Sequence, residues 1–236
     1  MDKSLRFAAV ALLAAAALSA LAIRDGVVLK RVAKVGDVAK YRMKAEMEFR
    51  SLPAVYSLLL TEKVTRVTPE GDYSIESINS ESKLVYNGTA VPSSGADGEK
   101  TTTNFKPNGA VSSIITERTD PNIYRMANLE TLQFPATAVK VGDSWKIEIK
   151  KDDRGSLDAT GSYTIEAQEK IGNYDCFRIH GTMKETSGSA PAGFDATYWV
   201  NLADGTIVKL QGLWENAPFP GAPAPVKAKV EVTREG

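Results

Sequence analysis

Apolar residues recur at every second position along much of this chain. Tyr41, Met43, Ala45, Met47 and Phe49 alternate with Lys40, Arg42, Lys44, Glu46, Glu48 and Arg50. That two-residue period belongs to a β-strand with one dry and one wet face. Trp145, Ile147 and Ile149 against Lys146, Glu148 and Lys150 repeat it, as do Val226, Ala228, Val230 and Val232 against Lys227, Lys229 and Glu231. Between such runs stand Pro69-Glu70-Gly71-Asp72, Asn87-Gly88, Pro107-Asn108-Gly109, Ile171-Gly172-Asn173 and Ala203-Asp204-Gly205. Asn, Asp and Gly tolerate the positive φ of tight hairpins, so these positions predict reversals in an antiparallel meander. Gly-, Ser- and Pro-rich stretches at 92–103, 187–193 and 218–225 predict longer exposed loops. One segment departs from the strand period. Asp120 as cap and Pro121 in the first turn predict a short helix through 123–132, stopped by Phe134-Pro135.

The sequence also repeats itself. Lys34-Val35-Gly36-Asp37, leading into the strand that carries Tyr41, matches Lys140-Val141-Gly142-Asp143, leading into the strand of Trp145, at an offset of 106. Glu62-Lys63-Val64 with the Gly71-Asp72 turn corresponds loosely to Glu169-Lys170-Ile171 with the Gly172-Asn173 turn. Phe105 to Val111 answers Trp199 to Val208, an aromatic strand, an Asn/Asp–Gly turn and a β-branched strand. The expected architecture is all-β: two tandem, similar halves of twisted antiparallel sheet, half-barrel-like meanders joined by a short helix. The expected boundaries are a first half at 23–119, a connector at 120–135 and a second half at 136–236. Asp37 and Asp143 are read as turn residues that bond nearby amides and launch the strand.

The first residues carry a different signal. Lys3 and Arg6 precede an apolar run over 7–18, and Ala20-Leu21-Ala22 supplies the small residues of a peptidase site. This predicts a signal peptide over 1–22 and export to the periplasm or beyond the cell. The apolar stretch is short of the roughly 20 residues that span a bilayer, so membrane contact is expected only during export. Over the whole chain Lys plus Arg and Asp plus Glu number 29 each. Without Lys3, Arg6 and Asp2 the balance becomes 27 against 28, net −1, with no basic cluster of the kind that holds nucleic acid. Cys176 is the one cysteine, so no intramolecular disulfide supports the fold and the core must.

Little in the sequence points to catalysis. One His and one Cys cannot assemble a usual metal site, and on a strand His180 and Cys176 stand about 13 Å apart. Calcium at Asp152-Asp153 or at the Asp-Gly turns stays open, without an Asp-x-Asp-x-Asp-Gly loop. Gly-x-Ser-x-Gly and a Gly-rich phosphate loop are missing. No cofactor is implied, and the chain reads as a non-enzyme.

Two elements carry a family likeness: Lys140-Val141-Gly142-Asp143-Ser144-Trp145, and Tyr198-Trp199-Val200 followed by Asp204-Gly205. They resemble those of a large group of poorly characterised exported bacterial all-β proteins, over roughly residues 30–236. The resemblance implies fold and exported location, with no catalytic residues. The hairpin is also similar to that of the periplasmic lipoprotein-carrier fold, an open half-barrel around an apolar groove.

Two functions stay in view. In the first, the chain is a non-catalytic envelope protein that holds an apolar, lipid-like ligand in a sheet concavity, with Met43, Met47, Phe49, Trp145 and Trp199 as candidate ligand contacts; Met in particular adapts to irregular ligands. The same residues also read as plain core. In the second, it is a structural or protein-interaction module of the envelope, meeting a partner protein through charged edges such as Lys227, Lys229 and Arg31. A continuous apolar cavity would favour the first, and a solid core with an exposed apolar patch the second.

Overall fold

The computed structural model describes residues 26–49, 52–92, 97–219 and 224–235; the expected signal peptide lies outside them. The strands are β1 (Val38–Phe49), β2 (Leu52–Val67), β3 (Tyr73–Tyr86), β4 (Thr89–Val91), β5 (Lys100–Phe105), β6 (Val111–Ile115), β7 (Ser144–Ile149), β8 (Ala159–Ile171), β9 (Tyr174–Glu185), β10 (Gly193–Asn201), β11 (Ile207–Ala217) and β12 (Val226–Arg234). One helix, α1 (Pro121–Glu130), connects β6 to β7. It starts where the sequence places it: the Asp120 carboxylate accepts from the Asn122 amide and Pro121 opens the first turn. Each turn named from the sequence falls at a strand reversal. The β3–β4 hairpin turns on Asn87 and Gly88, both at positive φ (46° and 77°). The loop expected at 92–103 is shorter than its composition implied, because Lys100 already begins β5.

All twelve strands form a single unclosed antiparallel sheet in the order β6-β5-β3-β2-β1-β12-β11-β10-β9-β8-β7, with β4 on β3. Each repeat contributes five strands in the same spatial sequence, and β12 stands between the two sets, pairing with β1 on one side and β11 on the other. Lys227 and Lys229 are therefore on a central strand and not on an edge. The edges are β6 and β7.

Backbone bonds show the duplication residue by residue. In the first copy the Gly36 amide bonds the Val64 carbonyl, the Val64 amide bonds Asp37, and the Asp37 carboxylate caps the Lys34 amide at 3.0 Å. In the second, Gly142 bonds Ile165, Ile165 bonds Asp143, and Asp143 caps Lys140 at 2.9 Å. Both glycines have φ of 94°, a value that favours glycine. A register shift follows Val64 in one copy and Ile165 in the other, and a second lies at Asn104/Phe105 and at Trp199/Val200. These anchors correct the looser sequence match: Glu62-Lys63-Val64 corresponds to Tyr163-Thr164-Ile165, because the β8–β9 hairpin runs further beyond the shift than β2–β3.

One face of the sheet, the inner face, packs against α1 and residues 131–139. Met126, Leu129, Leu132, Phe134 and Val139 join Tyr163, Ile165, Phe177, Ile179, Tyr198 and Trp214 in the main core. Arg125 fastens the helix to β9 through a two-pronged ion pair with Glu185, whose side chain is 1% exposed. The edges are bridged by side chains. Arg154, in the loop after β7, donates to the Ser112 carbonyl of β6 and stacks 4.4 Å over Tyr124 of α1.

Candidate functional site

Directly paired residues on neighbouring antiparallel strands point to the same face, so the registers give cross-sheet rows that can be compared between copies. In the second copy one inner-face row reads Trp145, Tyr163, Gly181, Ala196. Trp145 stacks on Tyr163 at 5.3 Å, Tyr198 meets Tyr163 edge-on at 6.3 Å, and a Cβ on Gly181 would strike the Tyr163 ring. That row is filled by aromatic rings. The equivalent row of the first copy reads Ala39, Glu62, Ser77, Thr101. Where copy two places an indole and a phenol, copy one places a methyl group and a carboxyl, and the space the rings would occupy is left open.

Two chambers occupy it. The outer one, about 400 Å³, is polar and bounded by Arg31, Lys34, Asp37, Ala39, Asp204 and Arg234. The inner one, about 280 Å³, is mainly apolar and runs past Tyr41, Leu60, Phe105, Leu132, Leu210 and Val232 to Glu130 at the end of α1. Arg31, Glu62, Ile75 and Thr206 border both. Their size approaches the roughly 300–1,000 Å³ usual for small-molecule sites. Tyr73 stacks on Phe105 at 5.0 Å and, with Val64 and Ile75, makes a separate apolar cluster that forms one wall.

The segments leading into each copy close the chambers. Residues 26–37 cross the turn between β10 and β11, where the Val32 amide bonds the Asp204 carbonyl at 2.8 Å. Residues 131–139 cross the turn between β5 and β6, where the Phe134 amide bonds the Asn108 carbonyl at 2.8 Å. Each crossing lies on a glycine. A Cβ on Gly109 would meet the Leu132 carbonyl oxygen at 2.6 Å, and one on Gly205 would meet that of Lys30 closer still.

The electrostatics of the chambers are uneven. Arg31 donates to the carbonyls of Val32 and Asp204 at 3.2 and 3.3 Å. Arg234 donates to the Thr206 hydroxyl at 3.0 Å and lies 5.0 Å over the Tyr174 ring. Asp204 accepts from Asn201 and from the Thr206 amide and hydroxyl. Glu62, by contrast, makes no hydrogen bond or ion pair among the described residues. Burial pushes its carboxyl up to about 7, with the Arg31 and Arg234 guanidiniums pulling the other way. Burial also raises Glu130 to about 7, held back by the Trp214 indole N–H beside it. That N–H meets no acceptor at good hydrogen-bonding geometry, so the contact is a weak one. By area both residues are half-buried, and both line the inner chamber. Tyr41 and Tyr73 are raised by burial above the usual phenol range.

The residues anticipated from the sequence lie elsewhere. Met43 and Met47 sit half-buried on the inner face of β1 against the main core, opposite Val232 and Ala228. Trp145 packs into the second copy and donates to the Gln133 carbonyl at 2.8 Å. Trp199 lies on the opposite face with Cys176 and Val208, bonded to Glu169 at 2.6 Å beneath Lys209. Tyr198 points inward, so alternation turns its neighbour Trp199 outward. None of these four lines either chamber. Phe49 belongs to β1, but its side chain is outside the described residues. Cys176 is fully buried, and His180 pairs with Asp195 at 3.0 Å. The Asp152 carboxylate is taken up by Arg154 and the Ser156 amide. Reading the sequence missed Ala39, Glu62 and Glu130, and took Arg31 for a charged sheet edge, whereas it lies on the segment before β1 and borders both chambers. In the register that the structure fixes, the first two stand out as a small and a charged residue where the other copy has rings.

No protein-family model matches the chain, and no curated protein matches it. Among solved structures it is similar to lipovitellin, in a structure of lipid–protein interactions (TM-score 0.49, 12% identity, 86% of this chain covered). The chain spans about 25% of the length of that lipovitellin chain. It is also similar to the hypothetical lipoprotein YmcC of Escherichia coli K12 (TM-score 0.33, 15% identity, 87% of this chain and 89% of that one). A third likeness is to a putative outer membrane lipoprotein-sorting protein domain of Vibrio parahaemolyticus (TM-score 0.23, 8% identity, 84% and 83%).

Proposed function

We propose that this chain is an exported, non-catalytic binding protein of the bacterial envelope that holds a small amphipathic ligand in the two-chamber cavity of its first copy. The observation that carries the reading is the junction of an apolar chamber of about 280 Å³ with a polar one of about 400 Å³ at Arg31 and Glu62. An apolar tail gains by leaving water for the inner chamber, while a polar head stays among the charges of the outer one. Export rests on the N-terminal pattern of Lys3, Arg6 and the apolar run after them. The reading of the chain as a binder and not an enzyme rests on its lack of a nucleophile motif.

The test is native mass spectrometry of the mature chain purified from its own host without detergent, beside an Ala39→Trp variant. Trp145 already occupies the equivalent position of copy two, so an indole at 39 has a precedent in this fold and would fill the open space. The expected result is a lipid-sized adduct on the native chain and its loss from a folded Ala39→Trp protein. An adduct that survives the substitution unchanged would place the ligand elsewhere and refute the assignment.

A further inference from the structure

We propose that the cavity selects an amphiphile whose head is a protonated amine, received by the Glu62 carboxylate at the junction of the two chambers. This rests on the binding function just described and narrows it to a ligand class.

The argument is an account of which polar groups are already satisfied. Buried polar groups are nearly always hydrogen-bonded, so those left unmet mark what a ligand brings. Around the chambers the guanidiniums are engaged, Arg31 by two carbonyls and Arg234 by Thr206 and the Tyr174 ring, while the Lys34 ammonium borders the outer chamber without a partner among the described residues. Asp37 caps the Lys34 amide, and Asp204 accepts three bonds from its own turn. At the junction of the two chambers the unmet group is an acceptor, the Glu62 carboxyl. An anionic head would set a second carboxylate against one without a hydrogen-bond partner and compete for guanidiniums that have them. An ammonium head supplies three donors and the opposite charge. The walls suit its stem: Leu60, Ile75 and Leu210 are apolar, and the rings of Tyr41, Tyr73 and Phe105 tolerate a cation nearby.

The charge state of that carboxyl gives a pH signature. Facing Glu62 are Arg31, Arg234, Tyr41, Tyr73 and, more remotely, Asp204. With Glu62 raised to about 7, its attraction for an ammonium is present above that pH and fades below it. An anionic ligand would show the reverse dependence, and a neutral one little.

The experiment is isothermal titration calorimetry of the mature chain with decylamine, decanol and decanoate below their micelle-forming concentrations, at pH 8 and pH 5.5. The expected result is decylamine binding about tenfold or more tightly than the other two at pH 8, the size of one charge-assisted hydrogen bond. That preference shrinks at pH 5.5. Glu62→Gln, which keeps shape and removes charge, lowers decylamine affinity several-fold while decanol affinity holds. Decanoate or decanol binding as tightly as decylamine at pH 8 overturns the amine assignment and leaves the binding function standing. So does a preference that survives the Gln substitution. Binding of none of the three overturns the function as well.

Discussion

Replacing Glu185 by Ala tests how α1, which carries Glu130 into the cavity, is held in place. Glu185 is the most enclosed carboxylate of the described ion pairs, 1% exposed against 16% for Arg125. It accepts from Arg125 Nε at 2.6 Å and Nη2 at 2.5 Å, and from the Ala192 amide at 2.6 Å. Arg125 keeps only the Ala190 carbonyl once the carboxylate is gone. Stranding one member of a buried pair costs about 3–5 kcal/mol, and an orphaned amide about 1–3 kcal/mol before relaxation. We expect a loss of about 4 kcal/mol by urea unfolding, and a fall of roughly 10 °C in Tm at the usual 2–4 °C per kcal/mol for a chain of this size. The double variant Arg125→Met/Glu185→Leu removes both charges and should recover most of that loss. If Glu185→Ala costs under about 1 kcal/mol, or the double variant is as unstable as the sum of its parts, the pair is not what anchors the helix.

Glu62 and Glu130, raised from 4.5 to about 7, bind protons more tightly folded than unfolded, so the stability they contribute is fully present below pH 4.5 and is lost as pH rises through about 7. For partly solvent-touching groups this amounts to on the order of 1–3 kcal/mol in total; a urea midpoint unchanged between pH 5 and pH 8 would contradict it. Gly205→Ala, with φ of 69° and the Lys30 carbonyl in the way, should cost about 2 kcal/mol or more and loosen residues 26–37 in hydrogen exchange. Cys176, fully buried and with its thiol raised to about 11 chiefly by burial, should resist a thiol reagent in the native protein; reaction at the rate of the denatured chain would show local opening at β9.

Much of the fold is legible in the residues because its devices are local. The Gly-Asp strand starts, the Asn-Gly and Asp-Gly reversals and the Asp120-Pro121 helix start all act within a few positions. The site is less legible because it depends on register. Alternation says that Met43 and Met47 share a face, but not that the space in front of them is taken up by core, or that Trp199 points the other way. The open space stems from a difference between copies, Ala39 for Trp145 and Glu62 for Tyr163, and that difference emerges only once the register shifts fix which residues correspond. Arg31 and Glu130 reach the cavity from the segments that cross it, and no periodicity announces them.

The position of β12 bears on how the chain must fold. Tyr41 pairs with Arg234, so the seam between the copies joins positions 193 apart in the sequence (234 − 41 = 193). β12 follows β11 along the chain and pairs with it locally, so until the seam forms the open borders are β1 on one side and β12 on the other, as open to a neighbouring molecule as to each other. Completing the sheet is thus a late, long-range event that lowers the folding rate through its contact order and leaves an aggregation-prone interval before it. The wall of the inner chamber that includes Val232 belongs to that same strand, so the ligand site and the finished sheet come into being together.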